Sequence, residues 1–139
     1  MYFAKETGEH IMEMNDRAEK AVAYKHKDCN CAQAVLLAFA DELERPEEEL
    51  RALGSGFGMG MGCMEATCGA LCGASMVMGL CNKSGKPTAA IMRDILHEFQ
   101  EKAGATICKD LKGIETGRML CSCDDCVRYA VRAAEQRLG

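Results

Sequence analysis

Glycine occupies every second position from Gly54 to Gly62 in the run GSGFGMGMG, and this run limits what the chain can become. Ordering glycine costs more backbone entropy than ordering any other residue, so neither a helix nor a strand is favoured there. The run reads as an irregular loop that lets backbone approach something closely. It lacks the Lys-Ser/Thr ending of a P-loop, and no strand precedes it, so it does not read as a nucleotide site.

On both sides of the loop the periodicity is helical. In residues 10–27, Ile11, Met14, Ala18, Ala21 and Val22 fall on one face at spacings of three and four. Asn30 reads as an N-cap with Gln33 completing a capping box, which opens a helix from Cys31 to Leu43. Pro46 followed by Glu47, Glu48 and Glu49 starts a short helix that stops at Gly54. Thr67 reads as the cap of a helix from Cys68 to about Cys81. Along it the small residues Ala66, Ala70 and Ala74, and Gly69 and Gly73, recur every four positions. That face would either pack tightly against a neighbouring helix or serve a homodimer. Pro87 opens a helix to Ala103, with Ile91, Ile95 and Phe99 in one stripe and Gly104 as its stop. A short turn is expected around Cys108 to Leu111. Ser122 caps a last helix to about Leu138, which buries Val127, Ala130, Val131 and Ala134. The expectation is an all-α chain, a single domain over residues 1–139, built as a bundle of about five helices with a Gly-rich loop.

The chain is 48% hydrophobic and carries a net charge of -4. It can bury a core, and without a basic run interleaved with aromatics it does not read as a nucleic-acid binder. Leu53 to Asn82 is broken by eight glycines and carries Glu65, so it is no bilayer span. MYFAKETGEH has no apolar h-region, so it is not read as a signal peptide, and the expected location is the cytoplasm. Thiols stay reduced there unless they do redox work or bind metal.

Ten cysteines therefore carry the functional question. Some are explained as small core hydrophobes. Three follow a capping residue: Asn30-Cys31, Thr67-Cys68 and Ser122-Cys123. Each would then open a helix, where free N–H groups and the dipole stabilise a thiolate or a metal-bound sulfur. Cys108, which follows Thr106 with only Ile107 between them, could belong to the same arrangement. Cys68 and Cys72 share a helix face, and Cys123 and Cys126 form C-x-x-C, so both are candidate redox pairs. No βαβ pattern supports a thioredoxin reading, only one zinc knuckle is present, and C-x-x-C-H is absent. His10, His26 and His97 are scattered and read as surface or packing residues. Met59, Met61 and Met64 beside Cys63 are soft donors of the kind that bind Cu(I), although methionine is more often core filler.

From CGALCG, residues 68–73, the chain resembles the small redox-active family named C_GCAxxG_C_C. DCNCAQAVLLAFADEL resembles its first block, and LGSGFGMGMGCMEATCGALCGA its Gly-rich loop and central motif. FQEKAGATICKDLKG and CDDCVRYAVRAAEQRL resemble the third and fourth blocks. Carried over, the family cysteines are Cys31, Cys68 and Cys108, with Cys123 as the fourth by its spacing to Val127 and Cys126 as the competing choice. Cys29, Cys63, Cys72, Cys81 and Cys121 are additions, and Cys72 replaces a Thr-like residue. The resemblance extends to a domain of split-Soret cytochromes whose four cysteines hold a two-iron, two-sulfide cluster, although the haem-binding part has no counterpart here. It implies an iron–sulfur cluster and an electron-transfer partner that the sequence does not identify. The alternatives are metal-free thiol–disulfide or oxidant-sensing chemistry, and a zinc-stabilised structural module. No substrate pocket is legible, so enzymatic activity is left open.

Overall fold

The computed structural model describes residues 8–138; the first seven residues of the segment read against a signal peptide lie outside that range, and the side chain of His10 is not described. Among the described residues the chain forms nine α-helices. They are α1 (Gly8–Glu13), α2 (Arg17–Lys27), α3 (Cys31–Ala38), α4 (Ala40–Leu43), α5 (Glu47–Gly54), α6 (Gly69–Cys81), α7 (Thr88–Ala103), α8 (Cys108–Lys112) and α9 (Cys123–Glu135). A π-helical turn, Gly60–Met64, lies between α5 and α6. The all-α class is as expected; the count of about five helices is not. No described helix is long and apolar enough to cross a membrane.

Two of the extra helices arise from breaks that periodicity does not show. Asp16 accepts hydrogen bonds from the N–H groups of Ala18 and Glu19, so α2 starts afresh there and does not continue α1. The helix expected from Cys31 to Leu43 stops at Phe39 (φ −103°, ψ 13°). Phe39 is fully buried, and the Arg17 guanidinium lies 4.6 Å from its ring centre. Arg17 Nη1 donates to the carbonyl of Ala38 at 2.8 Å and to Asp41 at 2.7 Å. A cation from α2 thus takes the carbonyl that a continuous helix would have used. The other additions are the five-residue α8 and the π-helical turn.

The core is built around α3 and α6. Six of the eight residues of α3 are buried, as expected of a helix that is apolar on all sides. It packs against α2, α5, α6 and α9. The α3–α6 contact is close because a Cβ on Gly73 would lie 2.8 Å from the Ala32 carbonyl and 3.0 Å from Val35 Cβ. Ala70 and Ala74 are fully buried, so the small-residue face is used inside the molecule. Ala66 lies outside the helix. Around this centre α9 packs on α2, α6 and α7. It buries Val127, Ala130, Val131 and Ala134 as expected. In α7, Ile95 and Phe99 are buried and Ile91 partly so, with Gly104 in the left-handed region as the stop.

Candidate functional site

Four chain segments that carry a cysteine at or next to a helix start converge on one cavity. Cys31 is the first residue of α3. The Asn30 carbonyl oxygen Oδ1 accepts from the Gln33 N–H at 2.8 Å, and Gln33 Oε1 accepts from the Asn30 N–H at 2.9 Å. Cys123 is the first residue of α9, where Ser122 Oγ accepts from the Asp125 N–H. Cys108 opens α8.

Cys68 departs from expectation. It occupies the cap position of α6, and Thr67 forms no cap. Thr67 instead forms an isolated antiparallel bridge with Ile107. The Cys68 N–H donates to the Thr106 carbonyl at 2.8 Å, and the Cys108 N–H to the Ala66 carbonyl at 3.0 Å. These two bonds fasten the backbone of Cys68 to that of Cys108. The bridge is long-range, so local propensity could not reveal it.

The cavity has a volume of about 410 Å³ and is lined by Cys29, Cys31, Cys68, Cys108, Cys123 and Cys126. Lys25 and Lys112 supply its positive charge, and Met59 and Met64 border it. The Gly-rich loop closes over one side as expected of a chain that can approach closely. The Met59 N–H donates to the Cys31 sulfur. Gly60 (φ +57°) passes so near that a Cβ there would lie 2.7 Å from Cys108 Cβ. Gly69 is needed for the same reason, because its Cβ would lie 2.5 Å from Cys31 Sγ and 2.6 Å from the Phe57 carbonyl.

Electrostatics differ from sulfur to sulfur. Burial pushes the Cys31 and Cys108 thiols up. Cys68 is held down to about 7, first by the thiol of Cys126 donating to it, and further by the N–H groups of Ala70 and Leu71, against the cost of burial. Cys126 is pushed up by the same contact, because its proton is the one shared. Burial disfavours the Lys112 ammonium. Its hydrogen bond to Cys123 and the nearby sulfurs of Cys126 and Cys68 outweigh that, so its pKa stays above the ordinary lysine value. Lys112 is the residue the sequence reading missed; its only signal is its spacing of four from Cys108 on α8.

The remaining candidates separate. Cys72 lies behind the cavity, with its thiol 3.9 Å from the Thr67 carbonyl. Cys121 is buried behind Cys126. Cys81 lines a different hollow with Leu80 and Arg137. Cys63 is exposed in the π-helical turn, away from the cavity, and Met61 is exposed beside it. The soft donors Met59, Met61, Met64 and Cys63 therefore do not share one site. His26 pairs with Asp124 at 2.7 Å on the surface, and His97 is exposed. Among the described residues, no three His, Cys, Asp or Glu side chains gather closely enough to hold a single metal ion.

Burial pushes the Cys29 thiol from the ordinary value of 9.0 up to about 11, with Arg51 opposing and Asp28 adding to the rise. A raised acid of this kind stabilises the fold fully below pH 9, and the contribution is lost as pH rises towards 11. Wild type is expected to lose on the order of 1–2 kcal/mol more over that window than Cys29→Ala. Urea midpoints of both proteins at about pH 8 and about pH 11 would measure it, and equal losses would contradict it.

Residues 29–137 match the family model described as "Putative redox-active protein (C_GCAxxG_C_C)". No curated protein and no solved structure matched the chain.

Proposed function

Because this chain belongs to the C_GCAxxG_C_C family, we propose that its cysteine cavity is the redox centre of an electron-transfer protein and holds an iron–sulfur cluster. The observation that carries the reading is the convergence of Cys31, Cys68, Cys108 and Cys123, from four separate segments, on one cavity. Four soft thiolates are the donor set such a cluster takes, and when bound it would supply a one-electron carrier. The thiols surround a volume and not a point, since among the described residues no three donors gather about one position. A single tetrahedral zinc needs four donors within about 2.3 Å of one point, so the arrangement serves it less well. A two-iron cluster divides its four ligands between two metals.

Each residue then has a physical task. Cys31, Cys68, Cys108 and Cys123 are the proposed ligands. Cys123 is preferred to Cys126 because the Cys126 thiol is directed at Cys68 and the Cys121 carbonyl. The N-termini of α3, α6 and α9 and the Lys112 ammonium would offset the negative charge of the thiolates. The Met59 N–H donated to Cys31 would tune that sulfur, and the Gly-rich loop would limit water.

Protein reconstituted with iron and sulfide without oxygen is expected to contain both and to absorb visible light. Cys31→Ser and Cys108→Ser should lose most of the iron. Cys63→Ser and Cys81→Ser, which alter sulfurs away from the cavity, should keep it. Iron-free wild type, or equal iron in all four variants, would refute the reading.

A further inference from the structure

Two cavity thiols, one from each candidate pair in the sequence, meet where α6 packs on α9. The thiol of Cys126 in the first turn of α9 donates to the sulfur of Cys68 at the start of α6. Both are buried, with Cys126 1% and Cys68 5% exposed. Buried thiols in mutual contact favour an internal bond over a link between molecules. A small reagent can still reach them, because Cys68 lines the 410 Å³ cavity and Met59 at its border is 58% exposed.

From this juxtaposition we propose that Cys68 and Cys126 form a reversible disulfide by exchange with a small-molecule disulfide. The centre then has a metal-free oxidised state that goes beyond the electron-carrier reading and excludes it while it lasts, since both use Cys68. The exchange balances without a metal. The Cys68 sulfur, which accepts from the N–H groups of Ala70 and Leu71, attacks one sulfur of the reagent. The reagent's S–S bond breaks, and its first half leaves as a thiolate. Cys126 gives its proton to that thiolate and attacks the Cys68 sulfur in the mixed disulfide. The second half of the reagent leaves as a thiolate and takes a proton from solvent. Two protein thiols are oxidised by two electrons, and one disulfide is reduced to two thiols. Cys121, whose thiol also meets that of Cys126, is a competing partner.

The test is oxidation of the reduced full chain by glutathione disulfide, then alkylation and peptide mapping by mass spectrometry. One dominant link, between the peptides carrying Cys68 and Cys126, is expected, with loss of two hydrogens and reversal by dithiothreitol. Cys126→Ser should leave glutathione trapped on Cys68. Oxidised wild type should take up several-fold less iron on reconstitution and recover on reduction. A dominant Cys68–Cys72, Cys123–Cys126 or Cys121–Cys126 link, or no internal link, would overturn the proposal. The peptide map is read without iron, so it stands whether or not a cluster binds.

Discussion

Gly69→Ala is expected to destabilise the protein by about 2 kcal/mol, whereas Gly79→Ala on the same helix stabilises it by about 0.5–1 kcal/mol. Alanine is the better helix former at both positions, which by itself favours both changes. Space decides the sign. A Cβ on Gly79 meets nothing within 4 Å. On Gly69 it meets Cys31 Sγ and the Phe57 carbonyl, and the latter is backbone that cannot swing aside. Overpacking of about 1–3 kcal/mol therefore outweighs the gain in propensity. Because the displaced atom is a cavity sulfur, Gly69→Ala should also lower iron retention while Gly79→Ala leaves it unchanged. Denaturant midpoints and iron content of the two variants check this, and equal behaviour would show that the close approach is not tight in solution.

Asn30→Ala should cost about 2 kcal/mol, more than an ordinary cap. Asn30 does two jobs. Its Oδ1 caps α3, and its Nδ2 donates to the carbonyls of Gly54 at 3.1 Å and Ser55 at 3.4 Å, where the Gly-rich loop begins. Asn30→Asp separates the two, because a carboxylate keeps the cap but has no donor for the loop. It is expected to recover about half the stability yet leave the loop loosened. The readout is faster hydrogen exchange at the Met59 amide, which donates to Cys31. Protection equal to wild type in Asn30→Asp would remove the loop from the tethering argument.

Much of the helical framework was legible because its signals are local. The Asn30–Gln33 capping box, the Pro46 start, the Ser122 cap and the Gly104 stop all occur where residue chemistry places them. The apolar stripe of α9 is buried as its spacing demands. The breaks at Asp16 and Phe39 were not legible. Asp16 lies inside a continuous apolar stripe, and Phe39 is held off the helix by Arg17 from another element. The family pattern also has a visible physical basis here. In CGALCG, Gly69 makes room for a sulfur and Gly73 for the backbone of α3.

Local composition and spacing were enough to set Cys31 and Cys123 at the first residues of helices, because capping and dipole effects act within a few residues along the chain. Cys68 was displaced to a cap position by a bridge to residues near Cys108. Which sulfur faces which followed from how α6 and α9 meet, and that angle depends on close packing among residues far apart in sequence. The contact between Cys68 and Cys126, and the lysine beside them, therefore came into view only once the helices were assembled.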